Sequence, residues 1–175
     1  MTRQGERART MLQEMGGNIE KDPQGIVGVN IRYPETHEDE RGELCEAWLA
    51  EWALHPDPPA RVVFVTVRPG QARGWVVHHR QDDRVFVGSG SAKIVLYDAR
   101  EGSATQGCVN ELFLGSERRG VFTIPAGVYH AFENIGTSDV IFIDMPNRPY
   151  DRENPDTSRL PLDTTVIPYR WRGKQ

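Results

Sequence analysis

Residues 120–134 read GVFTIPAGVYHAFEN. Val121 to Ile124 is a strand-length apolar run, and Pro125 with Gly127 makes a tight turn that ends it. The strand that follows aims His130 into the interior, four residues before Asn134. Upstream, residues 70–90 read GQARGWVVHHRQDDRVFVGSG, with Gly70, Val76, His78, Asp83 and Gly90 as its marks. Alternation along a strand puts Val76 and His78 on one face, about 6.6 Å apart by strand rise, and turns His79 to the other.

Working outward from these two stretches, the same texture fills the chain from Gly25 onward. IVGVNIRY, RGELCEAWLAEW, RVVFVTVRP, GWVVHH, RVFVGSG, AKIVLYD, CVNELFLG, GVFTIP, HAFENIG and DVIFIDMP are strand-length runs. They are parted by turn residues such as Pro69-Gly70, Gly88-Ser89-Gly90 and Gly136-Thr137-Ser138. Short strands at even spacing, with no helical pattern between them, predict an all-β sandwich or double-sheet jelly roll. Thr2 to Met15 has Met11, Leu12 and Met15 at helical spacing before Gly16-Gly17, so a short N-terminal helix is expected. Residues 1–24 then form an N-terminal extension and residues 25–175 the jelly-roll domain. Its tail from Asn147 to Trp171, punctuated by Pro149, Pro155, Pro161 and Pro168, reads as an extended segment wrapped over the surface.

Composition narrows the function. A chain of 175 residues with 38% hydrophobic residues can bury a core in one domain. A net charge of −4 does not suggest nucleic acid, which would want a basic face. No apolar run is long enough to span a membrane, and the N-terminus has no signal-peptide core, so a cytoplasmic protein is expected. Cys45 and Cys108 lack a CxxC partner and read as reduced, packing cysteines.

The two stretches resemble the paired motifs of cupins. Gly120, Pro125, Gly127, His130 and Asn134 follow the second motif, one residue shorter between its first glycine and the proline. Gly70, Val76, His78, Asp83 and Gly90 occupy the places of the first, with Val76 where its first histidine stands and Asp83 where it has glutamate. Within cupins the chain resembles the dTDP-4-dehydrorhamnose 3,5-epimerase family. Asp39-Glu40-Arg41-Gly42-Glu43-Leu44-Cys45-Glu46, Arg73-Gly74-Trp75 and Ile124-Pro125-Ala126-Gly127 carry that likeness, as do DRVFVGSG, VLYD and the closing LPLDTTVIPYRW.

The resemblance implies a cupin jelly roll that acts, as a homodimer, on a dTDP-linked keto-deoxy-sugar without a cofactor. It implies that Arg41, Leu44 and Glu46 hold the nucleotide, that Arg73 pairs with the diphosphate, and that His130 lines the sugar pocket. Asp163 would match the aspartate that orients the family's catalytic histidine. Val76 stands where the family has its catalytic base, Asp83 where it has a lysine, and Phe142 or Ile143 where it has a tyrosine. Proton removal beside a ketone needs a titratable group within reach, and valine supplies none. His78, on the same face, is therefore the expected substitute base, with His130 beside it. Two other readings stay open. His78, Asp83 and His130 form a two-histidine, one-carboxylate set suited to Fe, Mn, Zn or Ni, and a binder of sugar nucleotides without catalysis is the third.

Overall fold

A computed structural model of the chain describes residues 19–20 and 25–171. Thirteen strands follow in order: β1 (Ile19–Glu20), β2 (Ile31–Arg32), β3 (Thr36–Asp39), β4 (Gly42–Cys45), β5 (Val63–Val67), β6 (Ala72–His78), β7 (Asp83–Ser89), β8 (Ser91–Asp98), β9 (Val109–Gly115), β10 (Val121–Ile124), β11 (Val128–Asn134), β12 (Val140–Asp144) and β13 (Thr157–Arg159). Among the described residues the only helix is a 3-10 turn at Ala50–Trp52, and none is long and apolar enough to cross a membrane. The expected helix at Thr2–Met15 lies outside the described residues. β1 falls within the stretch read as an N-terminal extension and pairs with β2.

The all-β jelly roll expected from the sequence is what the chain forms. One sheet runs β1-β2-β10-β7-β12-β5, the other β13-β6-β11-β8-β9, and β3 with β4 makes a separate hairpin. The two sheets close on a common core that includes Val85, Val87, Phe122 and Phe142 from one and Ile94, Leu96 and Val128 from the other. Burying these side chains is the main stabilising term, at roughly 25 cal/mol per Å² of apolar surface.

Both sheets are also covered on their outer faces, which explains why β7 and β8 read as nearly continuous apolar runs. Trp52 and Leu54, with Trp48 and Leu49, lie over Phe86, Val121 and Met145. Half of the predicted strand RGELCEAWLAEW is thus a covering segment, because its aromatics follow a spacing that suits a loop laid on a sheet. IVGVNIRY likewise pairs only at Ile31–Arg32. On the other side the tail covers β6, β8 and β11: Ile167 and Trp171 pack on Trp75, Val95 and Ala131.

The β6–β11 register shifts at a bulge between His130 and Phe132. Gly74 sits there at φ +130°, and a Cβ on it would lie 2.5 Å from that of Ala131. Only glycine lets the two strands approach so closely.

Candidate functional site

Four titratable side chains meet inside one end of the jelly roll. His78 is the last residue of β6 and Asp83 the first of β7. Asp144 closes β12, and His130 lies on β11. Three are in phase with core residues of their strands, Asp83 with Val85 and Val87, Asp144 with Phe142 and Val140, His130 with Val128, and His78 alternates with the buried Trp75 and Val77 of β6. The period of two that builds the core therefore also carries these groups inward. His78 and His130 stack with ring centroids 5.6 Å apart, and His78 Nε2 stands 3.4 Å from Asp83 Oδ2.

The tail fixes the protonation of His78. Its Nδ1 lies 3.1 Å from the Asp156 carbonyl oxygen, with the Thr157 hydroxyl at 3.2 Å. A carbonyl only accepts, so Nδ1–H donates and Nε2 keeps its lone pair toward Asp83. Asp83 receives a 2.6 Å bond from the Gln81 amide. Gln81 in turn accepts from Arg61 at 3.0 Å. A pocket of about 150 Å³, lined by Gln81, Arg148, Tyr150, Asp156 and Thr157 among others, opens beside this chain of contacts.

Burial sets the charges. It pushes Asp83 up to about 7 and Asp144 up to about 8, the Asp83 charge adding to the latter. Burial holds His78 below its ordinary value and His130 down to about 3, with His78 contributing. At neutral pH the site thus holds two neutral imidazoles and a carboxyl pair that retains a proton. Asp144 Oδ1 is buried with no hydrogen-bond partner among the described residues.

A stability profile follows from these shifts. The raised carboxyls bind protons in the folded state that the unfolded chain has released, so stability falls as pH rises from about 4 to about 8. The lowered histidines act oppositely, losing stability as pH falls through about 6.5. Above pH 6.5 only the carboxyl effect remains among the shifted groups of the described residues. The urea midpoint should drop from pH 6.5 to 8, by about 1 kcal/mol per pH unit for each proton, and Asp144→Asn should flatten that drop. A wild-type midpoint that rises over this interval would contradict the assignment.

The other residues singled out from the sequence lie apart from this cluster. Arg41 is exposed and pairs with Asp39, and Leu44 is 63% exposed on the same β3–β4 hairpin. Glu46 and Arg73 are exposed as well. A groove of about 540 Å³ on the hairpin is lined by Arg41 and Leu44. Another, of about 610 Å³, runs between the hairpin and Ser116–Arg119, where Arg119 bonds Glu43 and ties the hairpin to the body. Neither groove shares a residue with the histidine cluster. Asp163 lies exposed in the tail; the carboxylate that reaches His78 is Asp83. His79 points outward to the Ser158 hydroxyl at 2.8 Å.

Asp144, Arg61 and Gln81 were missed in the sequence. For two of them the signal was phase: Asp144 continues the inward series Val140, Phe142, and Arg61 precedes the series Val63, Val65, Val67, whereas Gln81 lies between β6 and β7. A charged residue in step with core positions is the mark of a buried functional group. The ligand atoms of His78, Asp83 and His130 all lie within 4.8 Å of one another. That spacing and donor set fit a divalent transition metal, with the Nε2 lone pair of His78 already directed inward.

Comparison with known proteins adds the kinship. Residues 37–158 match the family model described as the polysaccharide biosynthesis C-terminal domain. The chain is 32% identical over 150 residues to the "probable low-salt glycan biosynthesis epimerase Agl13" of Haloferax volcanii, covering 85% of this chain and 96% of that one. It is 30% identical over 146 residues to the spore coat polysaccharide biosynthesis protein SpsL of Bacillus subtilis, covering 83% and 96%. Among solved structures, the dTDP-6-deoxy-D-glucose-3,5-epimerase RmlC of Legionella pneumophila, in complex with dTDP-4-keto-L-rhamnose, superposes with a TM-score of 0.78 at 24% identity, over 90% of this chain and 84% of that one.

Proposed function

Since the chain belongs to the polysaccharide biosynthesis C-terminal domain family, we propose that it is a sugar-nucleotide epimerase or isomerase acting on a dTDP-linked keto-deoxy-sugar. The observation that carries this reading is the inward His78, its Nε2 unprotonated beside buried Asp83. A base at that point takes the proton from the carbon next to the ketone. The C–H electrons form a C=C bond and the carbonyl electrons move onto oxygen, giving an enolate. A proton returned to the other face of the carbon inverts it, and the proton that the Asp83–Asp144 pair retains is read as its source. The probable epimerase Agl13 supports the reaction class, and the dTDP-sugar complex of the RmlC structure supports the substrate class. Arg41, Leu44 and Glu46 on the hairpin, and Arg73, are read as nucleotide and diphosphate contacts, with His130 in the sugar pocket. No part is assigned to Asp163.

The test uses dTDP-4-keto-6-deoxyglucose in D₂O, followed by mass. Deuterium entering the sugar ring reports proton removal even when no net product accumulates. Melting temperature with dTDP reports binding separately, since a ligand at a hundred times its Kd stabilises by about 2.7 kcal/mol. Binding without exchange would leave a sugar-nucleotide binder. The metal reading rests on the 4.8 Å grouping and is decided by elemental analysis: one transition metal per purified chain would favour it.

We further infer a cytoplasmic homodimer. Cys45 and Cys108 are both free, as suits a reducing compartment. The nucleotide-reading hairpin stands apart from its own sheets, and Phe64 and Val62 are 66% and 68% exposed along the edge strand β5 and just before it. A second copy would cover that edge and complete the site. Light scattering at micromolar concentration should give twice the chain mass, and a monomer would rule this out.

A further inference from the structure

We propose that Arg61 is the site's oxyanion-holding cation: its guanidinium, held by Gln81, Arg148 and Tyr150 one amide away from Asp83, takes the ketone oxygen as charge moves onto it. This rests on the epimerase or isomerase reading above. That reaction needs both a base and a positive group, because an enolate oxygen in a partly dry site is costly unless a donor faces it.

Arg61 continues the inward phase of β5 and is half-buried. Its Nε donates to the Arg148 carbonyl at 3.3 Å and its Nη2 to Gln81 at 3.0 Å. Its carbon Cζ lies 5.4 Å from the Tyr150 ring centroid. These contacts use two of five N–H groups, and the rest have no protein acceptor among the described residues. No carboxylate of the described residues pairs with it, whereas Arg80 pairs with Asp156 and Arg100 with Asp98. Arg84, the neighbour of Asp83 in sequence, turns to the outer face and bonds the Met145 carbonyl at 3.3 Å. Arg61 thus holds a charge paired with no carboxylate of the described residues, one amide from Asp83. That charge is felt at His78, Asp83 and Asp144 alike.

The geometry also explains how a carboxyl at position 83 is tolerated where a cation would be useful. Asp83 is buried and tied to Gln81, and Gln81 carries the link to Arg61. A positive charge thus stands just before β5, one amide from Asp83. A guanidinium is suited to this because its planar fork keeps donors directed after two have been used.

The experiment compares wild type, Arg61→Met and Arg61→Lys in ring deuteration of dTDP-4-keto-6-deoxyglucose at saturating substrate, with dTDP affinity by calorimetry. Arg61→Met is expected to slow deuteration by about 10²–10³-fold, the usual effect of removing one oxyanion donor, with dTDP affinity changed less than about threefold. Arg61→Lys should recover at least tenfold of that loss, which a purely structural role would not produce. Deuteration by Arg61→Met within about threefold of wild type overturns the inference and leaves the epimerase reading standing. A parallel loss of dTDP affinity, with deuteration restored at saturation, makes Arg61 a diphosphate contact and also overturns it. If wild type itself deuterates nothing, the epimerase reading fails and this role fails with it. Should Arg61→Met not fold, Arg61→Lys decides: lowered deuteration with dTDP affinity kept supports the role, and wild-type deuteration refutes it.

Discussion

His78→Ala is expected to lower ring deuteration of dTDP-4-keto-6-deoxyglucose by about 10²–10⁴-fold, the range contributed by one positioned acid or base. Binding of dTDP should persist, because Arg41, Leu44 and Glu46 lie on or just after the β3–β4 hairpin and Arg73 lies five residues before His78 on β6, all of them exposed and outside the histidine cluster. The size of the effect follows from the lack of an equivalent neighbour. Val76 is in phase with His78 but carries no titratable group. His130 is buried, and its charged form is disfavoured further by His78. His79 faces the Ser158 hydroxyl outside. His78→Gln is the sharper control, since it keeps the volume while removing the titratable nitrogen. If either variant deuterates the sugar at the wild-type rate, the base lies elsewhere and Asp144 becomes the first group to examine.

Trp75→Ala is expected to destabilise the fold by about 3–5 kcal/mol, the usual cost of deleting a large buried aromatic. Trp75 is fully buried and holds the tail by two means. Its ring meets Tyr169 at 5.9 Å and Trp171 at 5.5 Å between centroids. Its backbone exchanges two 3.0 Å hydrogen bonds with Leu160. A loss of this size is a large fraction of a typical domain's stability and should show as a lower urea midpoint. The variant should also lose activity with His78 intact, because the same tail brings the Asp156 carbonyl and Thr157 to His78 Nδ1. Trp75→Phe should recover part of both. A midpoint shifted by less than about 1 kcal/mol would mean that the tail is not held through this contact.

The sequence by itself determined the strand runs, the turns at Pro125 and Gly127, and the inward face of His78 and His130. These are local properties: alternation with period two and backbone limits act over a few residues and need no partner. It also carried the lack of a titratable group at Val76, since side-chain chemistry is read directly from residue type. Tertiary structure alone decided which charged groups meet. Asp144 and Arg61 lie far from His78 in the chain, and antiparallel pairing of β12 with β5 and β7 brings their strands to the same end. The aspartate that faces His78 is Asp83, not Asp163 in the tail, because pairing of β13 with β6 fixes the tail's backbone there and presents the Asp156 carbonyl. The stretch Ala47–Trp52 reads as strand because most of its residues are apolar. Whether an apolar segment pairs in a sheet or lies across one depends on which face is left uncovered, and that is settled only when Phe86, Val121 and Met145 are in place.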